Sequence, residues 1–117
     1  MSGLVSHLKG QSGEASVERI YLGRAAHILA RRWRGRGGEI DLILEEAGRI
    51  VFVEVKTSRT IDGALSALGP RQQTRLIASA SDFLQSQPKG SLSNMRFDVA
   101  AVDGQGRVEI VENAVLA

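Results

Sequence analysis

At 117 residues, with 43% hydrophobic and 24% charged side chains, the chain has room for one hydrophobic core and the composition of an ordinary globular domain. The absence of cysteine excludes a disulfide framework and a thiolate metal site, and fits a reducing compartment. A net charge of +2 hides an asymmetry: ten basic and seven acidic residues lie at or before Arg59, five and six after it, so an anionic partner such as nucleic acid is expected near the first half.

Residues 1–12, MSGLVSHLKGQS, lack the continuous apolar core of a signal peptide and read as a flexible N-terminal leader before a single domain over 13–117. No apolar run is long enough to cross a bilayer, so no membrane partner is expected and a cytoplasmic location is the default. Ser12 is a plausible N-cap for a helix to about Ala25, with Val17, Ile20, Tyr21 and Ala25 on its buried side. Glu14 falls in the first turn and on the margin of that face. The helix dipole favours an acid there by about 0.3–1 kcal/mol without any functional role.

His27 to Arg34 reads as a strand running into Gly35-Arg36-Gly37-Gly38, a flexible turn. Arg31, Arg32, Arg34 and Arg36 surround Trp33, the single tryptophan. Arginines suit phosphate oxygens, and Arg31, Arg34 and Arg36 are candidate nucleic-acid contacts. The indole could stack on a base, but packing in the core is the plainer reading for Trp33. His27 and His7 suggest no histidine site.

Gly38 to Lys56, GEIDLILEEAGRIVFVEVK, carries two β-branched runs joined through Ala47-Gly48, the pattern of an antiparallel hairpin. A turn centred there pairs Leu44 with Val51, Ile43 with Phe52, Leu42 with Val53 and Asp41 with Glu54. Alternation then places Glu39, Asp41, Glu54 and Lys56 on one face with Ile43 and Phe52. The other face carries Ile40, Leu42, Leu44, Val51, Val53 and Val55. A solvent-open corner with two carboxylates and an ammonium is the expectation. Two carboxylates about 5 Å apart repel by roughly 3 kcal/mol at an effective dielectric near 20, so a sheltered corner needs a cation. Oxygen-only ligands suit Mg²⁺, and a hard metal beside an ammonium suits phosphodiester hydrolysis. A solvated sheet edge carrying Glu and Lys for solubility explains the same residues.

The remainder, TSRTIDGALSALG, reads as a connection. Pro70 then opens a helix to about Ser86, with Leu76, Ile77, Ala80, Phe83 and Leu84 as its apolar stripe. Arg71, Gln72 and Arg75 cluster at its N-terminal end, where backbone N–H groups favour an anion; a solvated helix end accounts for them equally. Met95 to Val102 and Arg107 to Val111 read as strands around Asp103-Gly104-Gln105-Gly106. Helix, three strands, helix, two strands make an α/β domain with a mixed central sheet flanked by helices.

Asp41 followed by Glu54-Val55-Lys56 resembles the PD-(D/E)XK nuclease superfamily, whose signature is an acid and then (D/E)-x-K. More narrowly, G-E-I-D-L-I at 38–43 and V-F-V-E-V-K-T at 51–57 resemble the YraN-like family of predicted endonucleases, similar to Holliday-junction resolvases, from about Gly13 to Val102. The resemblance implies a restriction endonuclease-like αβββαβ core and a nuclease acting on DNA, with branched or junction DNA as the narrower expectation. It implies Mg²⁺ or Mn²⁺ held by Asp41, Glu54 and the Val55 backbone carbonyl, with Lys56 assisting the chemistry. Glu14 completes the site in resolvase-like relatives, with Glu18 as the competing candidate here. A junction enzyme is expected to form a homodimer. The family often carries a Lys near Gln72, and this chain departs from it there. Asp98 is matched in the family and is expected to be structural. The alternative is a non-catalytic nucleic-acid-binding protein with a degenerate site.

Overall fold

The computed structural model describes the backbone of residues 3–90 and 93–114, and side chains from Gly13 onward within those ranges. Helix α1 (Gly3–Gly23) leads into strands β1 (His27–Gly35), β2 (Gly38–Glu46) and β3 (Arg49–Thr57). Helices α2 (Ile61–Ser66) and α3 (Pro70–Gln85) precede β4 (Met95–Val102) and β5 (Val108–Val111). The five strands form one sheet in the order β1-β2-β3-β4-β5, with β3 and β4 parallel and the other neighbours antiparallel. The α/β class and the mixed sheet between helices are as the sequence implied.

The hairpin register is as expected through Leu42, with Leu44 opposite Val51, Ile43 opposite Phe52 and Leu42 opposite Val53, but the expected Asp41–Glu54 pair is not part of the ladder. Ala47 and Gly48 both take positive φ, 54° and 77°, which gives the two-residue turn the primed geometry that follows strand twist. Alternation then divides the core in two. Ile43, Phe52, Phe97 and Val99 pack under Leu76, Ala80, Phe83 and Leu84 of α3. Leu42, Leu44, Val51, Val53, Ala100 and Val102 pack under Val17 and Tyr21 of α1. Each fully buried large apolar side chain contributes about 1.5–3 kcal/mol. The α3 layer is aromatic: Phe52 stacks on Phe97 at 5.0 Å, and Phe83 sits edge-on to Phe52 and Trp33.

The structure corrects four expectations. The helix backbone runs from Gly3, well upstream of the Ser12 start, through Leu4, Val5 and Leu8 at helical spacing with no proline to stop it. The connection after β3 contains helix α2, whose N-cap Thr60 accepts a hydrogen bond from the Gly63 N–H at 3.0 Å. Ile40 lies with Ile43 on the α3 side, not with Leu42, because regular pairing of β2 with β3 ends at Leu42–Val53 and the strands part beyond it. The turn Gly35–Gly38 is a packed joint rather than a flexible one. A Cβ on Gly37 would lie 2.0 Å from the Arg75 carbonyl oxygen, and one on Gly35 would lie 2.8 Å from the Ser79 Cα. The glycines allow close approach to α3.

Candidate functional site

The site begins where β2 and β3 separate. At Asp41 the side chain replaces the ladder: its Oδ2 accepts the Val55 N–H at 2.7 Å. That bond fixes the Asp41 carboxylate against β3, beside Glu54. Glu54 is 6% exposed, so the corner is not open to solvent as the sequence suggested. The cover is Gln72 in the first turns of α3, whose Nε2 donates to Glu54 Oε2 at 2.7 Å. Lys56 Nζ stands 3.6 Å from the same oxygen, with its side chain 20% exposed.

Glu54 Oε1 is buried and has no hydrogen-bond partner among the described residues. Burial first, and the neighbouring Asp41 carboxyl second, push the Glu54 acid up to about 9, against the opposing pull of Lys56. Two interacting carboxyls in a sheltered corner are held most readily by a positive partner between them, either a shared proton or a cation. An orphaned buried carboxylate oxygen, a second carboxylate and the nearby β3 backbone make an oxygen-only donor set of the kind a hard divalent cation takes. The residues present therefore fit Mg²⁺ or Mn²⁺.

On the α1 side of Asp41 lies a cleft of about 320 Å³, lined by Glu14, Glu18, Arg31, Arg32, Asp41 and Val55 among others. Both candidate helix acids are engaged there. Arg31 Nε donates to both oxygens of Glu18 at 3.1 Å, and Arg32 Nη2 donates to Glu14 Oε2 at 3.0 Å. The Arg31 guanidinium holds the Glu18 carboxyl below its ordinary range. Arg32 has φ 50°, a conformation disfavoured for a residue with a Cβ, and with it Arg31 and Arg32, adjacent in sequence, both reach acids of α1. Among the described residues no three acidic or imidazole side chains are gathered for a metal. The structure brings Asp41, Glu54, Val55 and Lys56 together and keeps Glu14 on its arginine.

The α3 side carries a larger groove, about 860 Å³, lined by Arg34, Glu39, Arg71, Gln72 and Arg75 with the intervening backbone. Arg36 points elsewhere, 3.0 Å from Asp82. Trp33 is partly buried against Phe83, which fulfils the core reading. Asp98 is fully buried, taking hydrogen bonds from Tyr21, Arg96 and the Asn113 N–H, a structural role.

Three contributors were not legible as such. Gln72 was visible at a helix start, but its bond to Glu54 depends on how α3 crosses the sheet. Ser79 and Asp82 hold the Gly35–Gly38 joint: Ser79 Oγ donates to the Gly38 carbonyl at 2.8 Å and accepts the Gly37 N–H at 3.0 Å. Asp82 Oδ2 accepts the Arg36 N–H at 2.8 Å. Their helical spacing on α3 was the only available signal.

Fold and site together define a small α/β domain with a buried glutamate beside a half-buried aspartate where two strands part. The family model described as "Uncharacterised protein family UPF0102" matches residues 13–102, and the chain belongs to that family. A UPF0102 protein of Ruegeria pomeroyi is 55% identical over 112 residues, 96% of this chain and 91% of the relative. One of Cereibacter sphaeroides is 50% identical over 117 residues, the whole of both chains. One of Dinoroseobacter shibae is 43% identical over 109 residues, 93% of this chain and 81% of the relative.

Proposed function

We propose that the protein is a divalent-metal-dependent nuclease of the PD-(D/E)XK type that hydrolyses phosphodiester bonds in DNA, including branched DNA. The observation that carries this reading is the unpartnered, buried Oε1 of Glu54 beside Asp41. A solubility-tuned sheet edge has no reason to bury an unpaired carboxylate oxygen, which costs free energy unless a proton shared with Asp41 or a cation completes it.

Asp41, Glu54 and the Val55 carbonyl would hold Mg²⁺ or Mn²⁺, which supplies Lewis-acid stabilisation of a phosphoryl oxygen and activates water. The remaining steps belong to the protein. The Val55 N–H orients the Asp41 carboxylate, and the Gln72 amide fixes the rotamer of Glu54. Lys56, held near Glu54, presents an ammonium to the negative charge that develops on the phosphorane oxygens. Gln72 carries no charge, so Lys56 is the cation of this corner.

One observation favours a second reading, a nucleic-acid-binding protein with a degenerate site: Glu14 is tied to Arg32 rather than gathered with Asp41 and Glu54. Cleavage of single-stranded, duplex, flap and four-way DNA, with and without Mg²⁺ or Mn²⁺, separates the two. The nuclease cuts at least one substrate only with metal, and Asp41→Asn and Lys56→Ala abolish the cutting. Binding without cleavage under either metal supports the degenerate site.

A further inference from the structure

The arginines around the site fall into two sets. Arg31 and Arg32 are neutralised by Glu18 and Glu14, and Arg36 by Asp82. Arg34, Arg71 and Arg75 have no acidic partner within ion-pair distance among the described residues. These three come from different elements, β1 and the start of α3, and line the same groove; Glu39 is the acid on its wall. The Gly37–Arg75 contact and the Ser79 and Asp82 hydrogen bonds lock the β1–β2 turn onto α3, so the spacing of Arg34 from Arg71 and Arg75 is preset. Uncompensated positive charge on a rigid frame is suited to a repeating anion.

The aromatic residues decide what kind. The chain has one Trp, one Tyr and three Phe. Phe52, Phe83, Phe97 and Tyr21 are buried, and Trp33 packs edge-on against Phe83. None is presented in the groove, and Gln72, the amide that could read a base edge, is committed to Glu54. A single-strand binder draws about 1–3 kcal/mol per base from aromatic stacking, and this surface offers none.

We infer that the groove of Arg34, Arg71 and Arg75 is a track for the sugar–phosphate backbone of duplex nucleic acid, approaching Glu54 from the α3 side and reading phosphates rather than bases. This rests on the nuclease reading for its biological use, but not for its test. The experiment is equilibrium binding in EDTA, where no cleavage occurs, to a 30-base-pair DNA duplex of random sequence, to duplexes of other sequences, to duplex RNA, and to single strands.

The wild type binds duplexes of different sequence within about threefold of one another, tighter than the single strands, with affinity falling steeply as salt rises. Arg34→Ala/Arg71→Ala/Arg75→Ala weakens duplex binding at least tenfold at low salt and lowers the log–log salt slope by about 2–3. The charge-matched control Arg19→Ala/Arg49→Ala/Lys89→Ala, all outside the groove, changes the slope by less than about 1. All six side chains lie on the surface or in the groove wall, so unchanged melting temperatures verify that both variants fold. Duplex RNA bound as well as duplex DNA leaves the track standing as a backbone reader. Equal losses in the two triple variants, single strands bound tighter than duplex, or no salt-dependent binding overturns it. A protein that binds through this track but cuts nothing with metal sinks the nuclease reading alone; one that cuts while the groove variant binds normally sinks the track alone.

Discussion

Glu54 concentrates the physics of the site in one side chain. Its acid is raised to about 9 by burial and by Asp41, while the unfolded chain releases that proton near the ordinary carboxyl value of 4.5. Between those values the folded protein holds a proton that the unfolded chain does not. Stability in metal-free buffer therefore falls as pH rises from about 5 to 9. Chemical denaturation at several pH values should show that slope, and Glu54→Gln should flatten it and exceed the wild type at pH 8. A variant as pH-dependent as the wild type would place the slope elsewhere. Asp41→Asn tests the other half of the pair. Its amide oxygen can still accept the Val55 N–H, so only the negative charge is removed. Without metal the variant should match or exceed the wild type in melting temperature. The wild type should gain stability with Mg²⁺ by mass action, and Asp41→Asn should not. Lys56→Ala should keep the Mg²⁺ response. A wild-type-like response in Asp41→Asn would make this carboxylate purely structural.

At the scale of elements, the hairpin was the most legible part of the chain because its information is local. Alternation and a glycine at the joint specified the register through Leu42–Val53, and the structure repeats it. The face of Ile40 was not legible. Strict alternation assumes that the strands stay paired, and here the Asp41 carboxylate ends the pairing by taking a backbone N–H for itself. The site is thus the place where a local rule fails. The Gly35–Gly38 turn misled in another way. Glycines read as freedom, but Gly37 is required because the Arg75 carbonyl lies where its Cβ would be. Two substitutions test this account by thermal unfolding. Ala47→Gly relieves a left-handed alanine and should stabilise the hairpin by about 0.5–1 kcal/mol. Gly37→Ala should destabilise by about 1–3 kcal/mol through overpacking against α3. A neutral Gly37→Ala would mean that the joint yields easily and that Arg34 is not held in register with Arg75.

The whole molecule is tied together by contacts that no sequence window contains. The two flanking helices, α1 and α3, were readable from their apolar stripes, and α3 from the proline at its start, so the layered architecture followed from pattern although α2 did not. What pattern could not supply is the polar network that fastens α1 to the sheet's far strands. Tyr21 donates from α1 to Asp98 of β4 at 2.7 Å, and Arg96 grips the same carboxylate at 2.7 and 2.9 Å. Arg24 bridges Glu46 of β2 and Glu112 beyond β5, each at 2.7 Å. Burial and the Asp98 carboxylate push the Tyr21 phenol far above its usual range, so this tie does not titrate near neutral pH. Asp98→Asn removes the anion that Arg96 grips most closely and leaves it only Glu46 at 3.5 Å and Glu112 at 3.7 Å, and should cost about 1.5–3 kcal/mol. Tyr21→Phe removes one hydroxyl but leaves the Arg96 and Asn113 bonds to Asp98, and should cost about 1–2 kcal/mol. Because Tyr21 and the Asp41–Glu54 corner share no hydrogen bond, Tyr21→Phe should lower the melting temperature while keeping the wild-type Mg²⁺ increment. Measuring that increment in both proteins decides the point. A Tyr21→Phe protein that lost its Mg²⁺ response would show that the seating of α1, and with it Glu14 beside the cleft, sets the geometry of the carboxylate pair.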